Sequence, residues 1–210
     1  MSRLLDAMKS KTLTLIVHIP ENVVDLAKAA ESSGADVLIV SYDKEADKIP
    51  KEVSIPVGLD LSLSAPKDIE SLSGFDFINF NHNALDNYAN FKNTKVIILD
   101  DYYTLDKLMS ITAKNIDAIN AAIIPIRQKG KDLLVGDLQN YIAIALSSNL
   151  PVIIPTQRSI KVSEVSIIWD TGVKGLILTD VVLGKNIKLL SKAIKEYRVA
   201  IDDIVVTEEE

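Results

Sequence analysis

His18, Asp60 and Asp100 each close an apolar run, in TLTLIVHIP, IPVGLDL and TKVIILD. An imidazole and two carboxylates have the donor types to hold a divalent cation or to share proton transfer. Side chains alternate along a strand, so Thr14, Ile16 and His18 share a side, as do Gly58, Asp60 and Ser62, and Val96, Ile98 and Asp100. Asn79 shares a side with Phe75 and Phe77. If these sides face one axis, His18, Asp60, Asp100 and Asn79 converge at one end. A plainer role competes. Asp and Asn after a strand often cap the next helix, which accounts for Asp101 before YYTLDKL and Asn81 before HNALDNY. Capping accounts less well for His18 and Asp60, which sit inside apolar runs. His82, in a polar stretch, reads as a solvated surface residue.

Two loops have the composition of an anion site. IRQKGK (126–131) supplies Arg127, Lys129 and Lys131 around Gly130. TQRS (156–159) supplies Arg158 with the hydroxyls of Thr156 and Ser159, ahead of a helix. Backbone N–H groups at a helix start attract phosphate, and an Arg fork adds bidentate contacts. Solvated loop charges are the commoner fate of such residues, and TQRS is the stronger candidate. Further on, GLILTDVVLGKN brings Thr179 to a strand-to-helix corner suited to an anion, but Asp180 stands beside it. At about 4 Å and an effective dielectric near 20, two like unit charges repel by roughly 4 kcal/mol. Phosphate therefore binds at this corner only if Asp180 turns away or is neutralised.

The elements that would position these residues recur along the chain. From Thr12 onward a strand is followed by a helical pattern eight times over. ENVVDLAKAAESSG shows one buried helical face and a closing Gly34. ADVLIVSY is apolar almost throughout, as in a parallel strand covered on both sides. The segment 43–51 holds Pro50 and is too short for a full helix. Further helices are expected in APKDIESLSG, around 84–91, in YTLDKLMSITAKN, over 131–148, in KVSEVSIIWDTG and in NIKLLSKAIKEYRVAI. Alternating strands and helices imply a parallel α/β sheet, either a closed barrel or an open doubly wound sheet. Eight units favour closure into a single (β/α)8 TIM barrel over 1–210, with a short N-terminal helix (Leu4, Leu5, Met8) under it. In such a barrel the C-terminal strand ends carry the site. The strand-end set also takes in Ser41, Tyr42, Pro125, Arg127 and Gln157.

Composition narrows the function classes. The 210 residues are 48% hydrophobic and 25% charged, enough for a full core. A net charge of −6 argues against nucleic acid, which needs a basic face. No apolar run reaches membrane-spanning length and no signal-type segment opens the chain, so a cytoplasmic protein is expected. With Cys 0 there is no disulfide, thiolate metal site or Cys nucleophile. No cofactor is assigned. The expected partner is a small-molecule ligand, without nucleic acid or membrane, and self-association stays open. Val205 and Val206 are expected against the last helix, with the acidic residues after them solvated.

In layout the chain resembles the phosphate-binding (β/α)8 barrels, the group holding thiamine-phosphate synthase and the small tryptophan- and histidine-pathway isomerases. The similarity rests on chain length, the ESSGADVLIV turn and the ending DTGVKGLILTDVVLGKN. It departs in three places: Leu178-Thr179-Asp180 where a Gly and a small residue are usual, Pro155-Thr156-Gln157 in place of paired Gly, and no Asp-x-Lys-x-x-Asp decarboxylase signature. No Lys ends a strand, which disfavours a Schiff-base aldolase. The resemblance implies a lyase or isomerase acting on a small phosphorylated metabolite. Asp60 or Asp100 would transfer protons with His18 as partner. Arg158, Thr156, Ser159, Asn79 and Thr179 would bind substrate or anion. The alternatives are a non-catalytic barrel that binds a ligand or protein, and a metal-dependent enzyme using His18, Asp60 and Asp100.

Overall fold

Strands and helices alternate in the computed structural model, which describes residues 2–66 and 72–204. The strands are β1 (Thr14–His18), β2 (Val37–Ser41), β3 (Val57–Asp60), β4 (Phe77–Asn81), β5 (Thr94–Leu99), β6 (Ala118–Ala121), β7 (Val152–Pro155) and β8 (Gly175–Leu178). They pair in sequence order, all parallel, and β8 returns to β1. The barrel is closed, which excludes the open sheet. The α-helices are α1 (Arg3–Ser10), α2 (Val24–Ser32), α3 (Leu105–Thr112), α4 (Val135–Ser147), α5 (Val165–Asp170) and α6 (Ile187–Asp202). Among the described residues no helix is long and apolar enough to cross a membrane.

Two crossovers are shorter than a helical pattern implies. Ala46–Lys51 is a 3-10 segment, in keeping with its internal Pro50. The helix expected around 84–91 is instead a 3-10 segment over His82–Tyr88. Leu85 and Tyr88 bury there at a three-residue spacing, a period that fits the tighter helix. The helix expected in APKDIESLSG falls largely on residues outside those described, as do Val205, Val206 and the acidic tail.

Two apolar layers follow from strand alternation. Outward residues such as Leu15, Leu38, Ile78, Ile97, Ile119, Ile154 and Leu176 pack under the helices. Inward residues Ile16, Val37, Ile39, Phe77, Val96, Ala118, Ile153 and Ile177 form a second core, and α1 seals its lower end with Leu4 and Met8. Gly58 and Gly175 make room inside. A Cβ on Gly58 would lie 2.1 Å from the Phe77 ring, and one on Gly175 2.8 Å from Ile153.

The lower rim uses acids for structure. Asp36, Asp76 and Asp117 each precede a strand, and each accepts a backbone N–H from the first two residues of the strand before it: Leu15 (2.9 Å), Val57 (2.8 Å) and Lys95 (2.8 Å). These carboxylates are committed to strand ends, unlike those at the other rim.

Candidate active site

Strand stagger decides which side chains share a level. Moving one strand round the barrel raises the level by one residue relative to the ladder partner, so alternate strands supply four inward residues to each layer. The level of His18 then also holds Asp60, Ile98 and Pro155. The level below holds Ile39, Asn79, Asn120 and Ile177. The two layers beneath are apolar, and toward the mouth polar side chains begin at Asn79 and Asn120.

His18 Nε2 lies 3.1 Å from Ser41 Oγ. Burial pulls the His18 pKa below its ordinary 6.5, and the nearby Asp60 and Asp180 carboxylates offset only part of that, while Lys129 adds to the lowering. The ring is thus neutral at neutral pH and can accept a proton. Asp60 is held by three donors: Ser62 N at 2.9 Å, Ser62 Oγ at 3.1 Å and Asn79 Nδ2 at 3.3 Å. Asn79 Oδ1 in turn accepts from Asn120 Nδ2 at 3.1 Å. The carboxylate fixes the sense of this relay. An ionised carboxylate only accepts, so Asn79 must offer it the amide N–H, and Asn120 must do the same for Asn79. The chain ends on Asn120 Oδ1, a buried acceptor without a partner among the described residues.

Asp100 stands at the same rim but apart from His18 and Asp60. It lies two residues beyond Ile98, which fills the common layer. Its Oδ2 faces His82 Nδ1 at 3.9 Å, and its Oδ1 accepts Tyr102 N at 3.1 Å. His82 is therefore a rim residue at 25% side-chain exposure, not a free surface one. Among the described residues no three His, Asp or Glu side chains gather as a metal-ligand set. Asp101 and Asn81 do not cap as expected. Thr104 caps α3 through Lys107 N at 3.2 Å, because three residues separate Asp101 from the helix. Asn81 instead donates to Ser62 O at 2.9 Å.

The candidate anion corner is self-satisfied. Thr179 N donates to Thr156 Oγ1 (2.8 Å), Thr179 Oγ1 donates to Thr156 O (2.9 Å), and the two hydroxyls meet at 3.1 Å. Asp180 is neutralised by Lys129, 2.8 Å away. Arg158 does not reach solvent. Its side chain is 3% exposed, and its Nε lies 2.8 Å and its Nη2 3.1 Å from the Asp137 carboxylate. It also holds Gln128. Ser159 N donates to Lys131 O at 2.8 Å, so the TQRS backbone braces the 126–131 loop. Strand β6 ends at Ala121, well before Pro125 and Arg127, which lie in that loop.

The sequence places Ser41 in the strand-end set without a role of its own, and Asn120 falls outside that set. The available signal was a lone Asn in the apolar run DAINAAIIP, two residues from inward Ala118. Two clefts, of about 740 and 470 Å3, open at the lower end, against Lys9, Lys11 and Lys174 and against Arg3, Asp76 and Lys92. Size alone does not place chemistry there, since the oriented proton-carrying groups are at the opposite rim.

Fold and site together define a (β/α)8 barrel with an apolar interior and a polar C-terminal mouth. No protein-family model and no curated protein sequence matches the chain. Solved structures do. A tryptophan synthase chain from M. tuberculosis is 10% identical with a TM-score of 0.72, over 96% of this chain and 99% of that one. Thiamine phosphate pyrophosphorylase from Pyrococcus furiosus is 17% identical, TM-score 0.64, over 92% and 97%. N-(5'-phosphoribosyl)anthranilate isomerase from Pyrococcus furiosus is 15% identical, TM-score 0.64, over 91% and 100%. The likeness in layout to these barrels thus holds in three dimensions, and at these identities it establishes the fold alone.

Proposed function

We propose that the polar mouth is the active site of a small barrel enzyme, a lyase or isomerase acting on a small phosphorylated metabolite. The observation that carries this is the layer pairing a neutral His18 with Asp60 above the Asn79–Asn120 relay. A neutral imidazole bonded to Ser41 can take a proton from a substrate carbon or hydroxyl, and its pKa, below the ordinary value, suits a base at neutral pH. Asp60, fixed by three donors, stabilises the imidazolium that forms. Asn120, buried in the layer below, ends the relay that orients the Asp60 carboxylate toward the mouth, and the substrate's anion stays at the rim near Lys129. The barrel enzymes that share this fold, including the phosphoribosylanthranilate isomerase, support the phosphorylated class. A panel of sugar and polyol phosphates, followed by 31P and proton NMR for turnover, tests the reading. Conversion of a panel member that His18→Gln and Asp60→Asn each slow at least a hundredfold is expected. Conversion unaffected by both changes would refute it.

A non-catalytic binding barrel is the second reading. One observation favours it: Lys129 and Arg158 are both already paired, to Asp180 and Asp137, and the Thr156 and Thr179 hydroxyls serve each other. Stabilisation by neutral polyols without any turnover would support that reading over the first.

A further inference from the structure

We infer that the outer face of α4 is a two-fold interface with a second copy of this chain. Helices in the outer layer of a barrel show one face to solvent, and that face is normally charged. The exposed positions of α4 are Val135, Gly136, Gln139, Asn140, Ile142, Leu146 and Ser147, without a charge among them. Its single ionisable acid, Asp137, is buried against Arg158. Every other α-helix of the described residues exposes at least one charged side chain, and α6 exposes Lys188, Lys192, Lys195 and Glu196. Leu146 is 82% and Val135 72% exposed, and with Ile142 they form a stripe at spacings of seven and four residues.

The stripe continues onto the flanking helices. Helix α3 packs beside α4 and exposes Leu105 and Met109. Helix α5 exposes Ile167, and the Gly172 just after it sits where an added Cβ would lie 3.6 Å from Ala145 Cβ of α4. These six side chains expose roughly 600 Å2 on each copy, so pairing two copies buries at most about 1,200 Å2 of it, the lower end of stable interfaces.

Charge selects the occupant. Two copies of a chain with net charge −6 repel each other across most orientations. An uncharged face lets them approach with least repulsion, and a two-fold axis sets the same stripe against itself without needing a complementary partner surface. A partner recognised through charge would find nothing to pair with on α4 itself, the exposed charges of α3 and α5 being Asp106 and Asp170.

The test is sedimentation of the full chain at about 1 to 100 μM. The wild type should show twice the 23.0 kDa chain mass. Leu146→Lys and, separately, Ile142→Glu should each weaken the dimer at least a hundredfold while leaving far-UV dichroism unchanged. Leu189→Lys, at an exposed apolar position of α6, should leave it dimeric. A wild type that stays monomeric at the top concentration would overturn the inference. So would a dimer that survives both α4 changes, since that dimer would use another face.

Discussion

Arg158 provides the sharpest quantitative prediction, because its two conceivable roles predict opposite results. Its guanidinium and the Asp137 carboxylate form a buried pair, at 3% and 10% side-chain exposure. Asp137 Oδ2 also accepts Leu134 N at 2.9 Å and so starts α4. Burial pushes the neighbouring Tyr141 phenol up, with Asp137 adding to the shift, as expected where little water enters. Removing one member of a buried pair strands the other charge and costs about 3–5 kcal/mol, whereas replacing both by apolar side chains is often close to neutral. Arg158→Met should therefore lower unfolding free energy by about 3–5 kcal/mol, and Tm by roughly 10 °C for a chain of this size. Asp137→Leu should do the same, and the double variant should recover at least half of the loss. Urea unfolding of the four proteins reads the cycle directly. If Arg158→Met unfolds like the wild type yet loses phosphate affinity, the guanidinium is an anion anchor and the buried pair has been misread.

Three further outcomes follow from the site and the interior. Burial holds His18 neutral in the folded state, so the unfolded chain protonates first; stability from this group is full above pH 6.5 and falls as pH drops toward the lower folded pKa. Thermal melts of wild type and His18→Gln between pH 7.5 and 5 should differ in slope only below 6.5; equal slopes would show an ordinary histidine. Asp180→Asn should free Lys129 and strengthen inorganic phosphate binding severalfold by calorimetry, and weaker binding would mean the Asp180 carboxylate helps to build the site. Gly58→Ala should cost about 1–3 kcal/mol through overpacking against Phe77, with Phe77→Leu restoring most of it; an unaffected melt would mean the ring is not seated over Gly58.

How much of this was legible in the sequence varied with the physics involved. Alternation within a strand is local, so the shared sides of Ile16 with His18, Gly58 with Asp60, and Val96 with Ile98 could be read directly and hold. Stagger between strands is not local. Asp100 looks level with His18 in the sequence, but the barrel's shear lifts it to the rim beside His82 and leaves Ile98 in its place. Arg158 misled for a related reason. A loop Arg before a helix has the composition of an anion site, and nothing local shows that Asp137, on the preceding helix, waits for it 2.8 Å away. The plug helix was visible because Leu4 and Met8 share one face. The 3-10 crossover after β4 was not, because a polar stretch with few apolar residues fits either helical period.

The central claim is that small phosphorylated molecules bind at the polar C-terminal mouth. The most direct test is backbone and side-chain amide NMR of the 15N-labelled protein titrated with D-ribose 5-phosphate. Shifts should centre on the Asn79 and Asn120 side-chain amides and on the backbone of His18, Ser62 and Lys129, and Asn120→Leu should abolish saturation. Shifts confined to Lys9, Lys11 and Lys174 around the lower cleft, with the two asparagine amides unmoved, would contradict the account.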